Sequence, residues 1–218
     1  MLERLTDKQI ETSIRTIIAL IVIAILAVGA NYVYQKYSST DVKATDIIDK
    51  ALAKVKSQPR NERARTELAD LLVGQNRLEE ALKQYGQAIK LNEKYGPALV
   101  GMGVAYQKNG DEQKAIASFE KEISVASSGQ NAAIDKNLEK AYFYKGKILL
   151  DKGSHKEAVK SFKNALKIEP SMSDTHYLLG KAQKESGQKQ EAITSFKKAL
   201  KLNPSLTAAK KGLEDLGG

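Results

Sequence analysis

The 218-residue chain has no cysteine and only two histidines. Without cysteine there is no disulfide, no zinc–thiolate site and no thiol nucleophile. That is compatible with an oxidising compartment without requiring one. The histidines, His155 and His176, stand at unrelated points of the pattern described below, and neither has a carboxylate at ligand spacing. No metal and no cofactor are therefore expected. No Ser-His-Asp order, glycine-rich phosphate loop or HExxH motif is present, so an enzyme is not expected either. There is no arginine-rich cluster and no nucleic-acid reader motif, which argues against nucleic acid as a partner.

Charge is also missing from one stretch. Thr16 to Gln35 carries no charged side chain, and Ile17 to Val28 is almost wholly aliphatic. Twenty residues in a helix reach roughly 30 Å, the thickness of a hydrocarbon core. Tyr32, Tyr34 and Tyr37 follow, where an interfacial aromatic belt would sit. Arg15 and Lys36 bracket the stretch. The reading is a single transmembrane helix over 16–37, after a short tail over 1–15, which places the protein in the cell membrane. A competing reading is a secretory signal cleaved after Ala30, since Val28-Gly29-Ala30 offers small residues. Basic residues tie across the span: Arg4, Lys8 and Arg15 before it, Lys36, Lys43 and Lys50 after it. An extracytoplasmic position of the rest of the chain is expected from the usual behaviour of such anchors.

What the chain has is a repeat. Ala158, Phe162, Ala165 and Pro170 recur 34 residues later as Ala192, Phe196, Ala199 and Pro204, and Gly146 and Gly153 recur as Gly180 and Gly187. A fixed period in the range of about 20–50 residues signals stacked units. Ala158, Phe162 and Ala165 share one helical face. Gly153 suits the left-handed position that ends a preceding helix, and Pro170 stops the following one. Each unit is an antiparallel helix pair that cannot bury its apolar face alone, so the pairs must stack.

Stepping towards the amino terminus, Ala115 and Phe119 mark one earlier unit, with Met102, Gly103, Tyr106 and Gly110, and Glu122 in place of the second Ala. Ala81, Tyr85 and Ala88 mark another, with Leu68-Ala69 and Asn76. The pattern resembles the tetratricopeptide repeat (TPR) family: Leu179-Gly180, Ala192, Phe196, Ala199 and Pro204 carry it in the last unit, and Tyr142, Gly146, Ala158, Phe162, Ala165 and Pro170 in the one before. The resemblance covers about Glu62 to Pro204.

The expected fold class is all-α: the transmembrane helix, then a right-handed α-solenoid of about four TPR helix pairs with capping helices at both ends. The expected boundaries are a linker over 38–45, a capping half-repeat over 46–60, and pairs over 62–95, 96–127, 139–172 and 173–204. An insertion fills 128–138, and a capping helix closes the stack over 205–216. In the half-repeat, Ile47, Ile48, Leu52 and Val55 are expected on one side. In the insertion, Asn131 is a candidate cap for an early helix start, with Ile134 and Leu138 continuing the face of Tyr142.

The resemblance implies a membrane-tethered scaffold for protein–protein interaction, with a concave groove lined by the first helix of each pair. Its groove positions fall on Arg63, Thr66, Asp70 and Val73; Pro97, Val100, Val104 and Gln107; Lys140, Phe143, Lys147 and Leu150; and Asp174, Tyr177, Lys181 and Lys184. The partner-binding set is Val100, Val104, Gln107, Lys140, Phe143, Lys147, Tyr177, Lys181 and Lys184. Two aromatics among lysines suit a peptide or protein segment with apolar and acidic side chains. Family members that clamp a terminal carboxylate use a Lys-and-Asn pair and, two units on, a Lys-and-Arg pair. Here Thr66 and Asp70 stand at the first, and Tyr144 takes the Arg position beside Lys140. An accessory subunit of a membrane complex, bound through the span, is the alternative function.

The net charge of +9 lies wholly from Lys36 onward, 32 basic against 23 acidic residues, and favours acidic proteins or anionic lipid headgroups as neighbours.

Overall fold

The computed structural model of the chain describes residues 22–29, 31 and 46–217. The chain divides into two compact units, 1–50 and 51–218. In the first unit, residues 22–29, 31 and 46–50 are helical. Ile23, Ile25, Leu26 and Val28 are exposed, and Lys50 pairs with Asp46 at 2.7 Å.

The expectation of a transmembrane helix over 16–37 is corrected here. Among the described residues no helix is long and apolar enough to cross a membrane. The fold class is therefore an all-helical repeat without that anchor among the described residues. The tail over 1–15, the cleavage point after Ala30 and the linker over 38–45 lie outside the described residues.

The second unit opens with helical residues 51–57 (α1). Nine further helices follow: α2 (Glu62–Gly74), α3 (Leu78–Leu91), α4 (Gly96–Lys108), α5 (Glu112–Ala126), α6 (Lys136–Asp151), α7 (His155–Ile168), α8 (Ser173–Glu185), α9 (Lys189–Leu202) and α10 (Thr207–Glu214). The pairs are α2–α3, α4–α5, α6–α7 and α8–α9, each packed on the next, with α10 against α8 and α9. The first helices of successive pairs, α2, α4, α6 and α8, also touch one another, whereas the second helices make at most marginal contacts with one another. Closer approach on one side bends the row, so the first helices line its inner, concave face.

Local chemistry explains the pairs. The turns joining α2–α3, α4–α5, α6–α7 and α8–α9 each hold one residue at positive φ: Asn76 (58°), Gly110 (82°), Gly153 (76°) and Gly187 (79°). After each, an amide reaches back over the helix end: Arg77 to Leu72 O, Asp111 to Tyr106 O, Ser154 to Leu149 O and Gln188 to Gln183 O, at 2.8–2.9 Å. This is the Schellman ending, which satisfies the orphan carbonyls of the last turn. Four copies of one turn give four hairpins of one geometry.

Packing explains the stack. Tyr85, Phe119, Phe162 and Phe196 are at most 1% exposed. Phe119, Phe162 and Phe196 lie over Gly103, Gly146 and Gly180 of their own pair, so close that a Cβ there would come within 2.5–2.8 Å of the ring. Three of them also meet the following pair, Tyr85 at Gly101, Phe119 stacked on Tyr144 at 5.7 Å and Phe162 clustered with Leu179 and Ala182, while Phe196 meets Gly212 of the closing α10. A buried ring of this kind stabilises by about 2–3 kcal/mol.

Three sequence expectations change at the residue level. Ile48 and Val55 are buried, but Ile47 and Leu52 face solvent, because positions seven apart share a helical face more closely than those flanking them. Asn131 makes no cap. A short 3₁₀ turn, Ala132–Ile134, comes first, and Asp135 caps α6, its Oδ1 accepting from the amides of Asn137 at 2.8 Å and Leu138 at 3.1 Å. Ile134 is 73% exposed, while Leu138 is buried.

The second pair carries an exchange. Ala88, Ala165 and Ala199 are buried at equivalent places, and Glu122 takes that place in α5, 1% exposed. Its carboxylate fits because Gly96 lacks a side chain; a Cβ there would lie 2.7 Å from Oε1. Oε2 has no hydrogen-bond partner. Burial, and secondarily the charge of Asp135, push the carboxyl up to about 7.

Candidate partner-binding groove

The inner face is formed by the helix positions that point away from the second helices. At its amino-terminal end three pairs converge on a cavity of about 260 Å³, lined by Asp70 and Val73 of α2, Tyr85 of α3, Pro97, Val100, Gly101 and Val104 of α4, and Asn137, Lys140 and Tyr144 of α6. The floor is apolar. The polar groups are one carboxylate, one ammonium, one amide and two phenols.

Asp70 is the organised group. The Tyr85 hydroxyl donates to its Oδ1 at 2.5 Å. Burial raises the Asp70 carboxyl above the usual range, opposed by the Tyr85 hydrogen bond and by Lys140. Burial and the carboxylate together push the Tyr85 phenol well up, so it stays a donor. Lys140 is exposed and forms no ion pair among the described residues. It is free to meet an anionic group entering the cavity.

The sequence-derived set divides. Val100, Val104 and Lys140 are brought together in the cavity. Val100, however, is only 6% exposed, and packs on Ala115, Phe119, Ala141 and Ile148. Gln107 is half-buried, one turn beyond the cavity. Phe143 is half-buried, edge-on to Tyr144 at 5.4 Å and to Phe162 at 6.3 Å, with Lys147 Nζ 5.9 Å from its ring. That ammonium–ring contact fixes the lysine over the aromatic face. Tyr177 leans on Phe196 at 6.0 Å. Both aromatics therefore spend one face on the core and offer the other to the groove. Lys184 is held by Asp215 at 2.7 Å and its ammonium is raised by that hydrogen bond. Lys181 is exposed without an ion pair among the described residues.

Tyr85, Asn137 and Gly101 line the cavity without having been singled out as groove residues, and Tyr144 joins them from the clamp position beside Lys140. A signal for Tyr85 was present: it is the lone Tyr where the other three pairs have Phe, and an Asp lies in the facing helix. Asn137 enters because α6, at 16 residues, starts earlier than the 13-residue α2, α4 and α8.

A second concavity, of about 470 Å³, lies on the outer side, with Ile89, Leu99, Met102 and Tyr106 beneath Lys90, Lys114 and Lys121. His176 Nε2 lies 3.0 Å from Pro170 O, and burial lowers its imidazole. Among the described residues no group of three His, Cys, Asp or Glu side chains could hold a metal ion.

Comparison with known proteins agrees with this architecture. Family models described as TPR repeat match residues 69–110 and 146–187, and models described as tetratricopeptide repeat match 96–128 and 173–206. Among curated proteins no sequence matches. A crystal structure of MamA protein is similar, with 21% identity over 76% of this chain and 85% of that one and a TM-score of 0.62. MamA 41-end from Desulfovibrio magneticus RS-1 gives 22% identity over 72% and 83%, also at 0.62. The APC/C hetero-tetramer Cut9-Hcn1 gives 14% identity over 82% of this chain and 34% of that one, at 0.67. At such identities the likeness is one of fold. Family matches, four equivalent turns and the caged aromatics agree: the chain belongs to the tetratricopeptide repeat family.

Proposed function

We propose that the chain holds an extended or helical segment of a protein partner in its concave groove, and that the cavity between Asp70 and Lys140 is where the segment anchors. The repeats themselves support an interaction scaffold as the general role. The observation that carries the finer reading is the convergence of three pairs on one cavity with an apolar floor, a carboxylate already hydrogen-bonded by Tyr85, and an unpaired ammonium at its rim. An apolar side chain fills the floor, and an acidic neighbour meets Lys140. Lys147 and Lys181 continue the same sign along the groove. Assistance in assembling, secreting or maturing envelope proteins is the setting in which such a segment holder works, and this chain is read as a non-enzymatic member of it.

Site-specific photocrosslinking tests the reading. A crosslinker at Val104 or Lys147 is expected to capture the same partner, while one at the outward-facing Lys83 captures none. The double variant Val104→Arg/Lys140→Glu should lose that capture with its melting curve unchanged. Equal capture from Val104 and Lys83, or capture that survives the double variant, removes the groove from the account.

A further inference from the structure

The excess positive charge is not spread evenly. The second helices of the last two pairs, α7 and α9, together carry eight lysines and two glutamates, with no arginine. All eight lysines are exposed. The ion pairs among the described residues all lie elsewhere, at Lys50–Asp46, in α1–α2, in the first two pairs, between α5 and α6 or the turn after it, or at Lys184–Asp215. On α7, Lys156, Lys160, Lys163 and Lys167 follow one another at steps of four, three and four, so they form a single stripe about 16 Å long. Lys197 and Lys201 of α9 stand at the repeat positions of Lys163 and Lys167, and so face the same way. The same four positions in α5 are Gln113, Ala117, Glu120 and Ser124. In α3 they are Glu79, Lys83, Gly86 and Lys90, so the full stripe of four is a property of α7 and not of the fold, and α9 extends it on the neighbouring pair with Lys197 and Lys201.

We propose that this outer face docks on an anionic lipid surface. Its chemistry fits that partner in three respects. The charges are lysines, which act as mobile point charges and do not present the rigid fork that reads a particular phosphate or carboxylate. The aromatics of these helices, Phe162 and Phe196, are buried, so no ring is offered for stacking a nucleobase. The charges also lie in two rows on neighbouring pairs, an area and not a line. An acidic peptide would follow one helix, whereas a charged plane meets both rows. On the convex side of a curved row only adjacent pairs reach a plane together, and the patch spans two. Clusters of four to eight basic residues at a surface bind anionic lipid by summed Coulomb attraction that salt screens.

Cosedimentation of the full chain with vesicles tests this. Phosphatidylcholine doped with phosphatidylglycerol is compared with phosphatidylcholine alone, across a salt series. The parent should prefer the anionic vesicles, and lose the preference as salt rises. The variant Lys160→Gln/Lys163→Gln/Lys197→Gln/Lys201→Gln should lose at least about tenfold of that preference, with an unchanged melting curve. If it fails to fold, Lys163→Gln/Lys197→Gln is read instead, with a several-fold loss expected. A control with the same charge change elsewhere, Lys83→Gln/Lys94→Gln/Lys108→Gln/Lys121→Gln, should retain most of the preference. No anionic preference in the parent overturns the proposal. Equal loss in the control also overturns it, by assigning the effect to net charge. Tighter binding of the parent to duplex DNA or polyglutamate at equal salt replaces lipid with that class of partner.

Discussion

The first two helix pairs and the last two share a backbone plan but use it differently. The last two keep Phe162 and Phe196 in glycine-lined cages, keep Ala at both small positions of the second helix, and leave their outer lysines unpaired. The first two admit polar groups into the same places. Tyr85 stands where Phe does elsewhere and needs Asp70 to satisfy its hydroxyl. Glu122 stands where Ala does elsewhere and needs the vacancy at Gly96. The lesson is that a repeat tolerates a substitution in a buried slot when a second position in contact with it changes in the complementary sense. The deviations are also where the groove acquires its carboxylate, so departure from the repeat marks the part that discriminates.

The largest expected effect sharpens the contrast from the regular half. Phe162→Ala leaves a void between Gly146 and the neighbouring pair, and should cost about 3–5 kcal/mol in urea or thermal unfolding. A loss below about 1 kcal/mol would mean the cage collapses onto the space, and the aromatics are not what joins the pairs.

The next effect belongs to the irregular half and depends on pH. The Glu122 carboxyl sits near 7 in the folded chain against 4.5 as its ordinary value. The fold therefore favours its protonated form. Its contribution is greatest below pH 4.5 and is lost as pH rises through 7, by about 3 kcal/mol at most. Glu122→Gln should flatten that part of the stability–pH curve and be the more stable protein at pH 8. Parallel curves for parent and variant would show that the carboxylate is solvated, and that the Gly96 exchange has no electrostatic consequence.

Tyr85→Phe is the smallest of the three. It restores the residue of the other pairs but takes the phenol donor from the exposed Asp70, which water replaces in part, so a loss of about 1 kcal/mol is expected at neutral pH. The loss should shrink on acidification, because a protonated Asp70 no longer needs the hydroxyl. An unchanged or higher stability would make the irregular half no different in kind from the regular one.

Much of this was legible in the residues. Asn76, Gly110, Gly153 and Gly187 are spaced with the repeat, and all four adopt the left-handed turn that the sequence assigned to Gly153. The lysine excess was countable. The cap of α6 was misplaced from Asp135 to Asn131 because both residue types cap helices, and only the backbone path through Ala132–Ile134 separates them. The apolar run over 16–37 suggests a membrane span on length and composition, criteria that count residues, whereas no helix among the described residues is long and apolar enough for one. Groove positions were assigned by counting along each unit. That found Val104 and Lys140, but missed Tyr85, which reaches the cavity from a second helix.

The sequence by itself determined the helix pairs, their turns and their order, because these depend on local dihedral preference and on an apolar face that recurs at one period. Only the tertiary structure decided which side chains share a space: Glu122 with Gly96, Tyr85 with Asp70, Val100 with the core beneath the groove floor. Such pairings depend on distances across helices, which close packing fixes to a fraction of an ångström and a linear pattern does not encode.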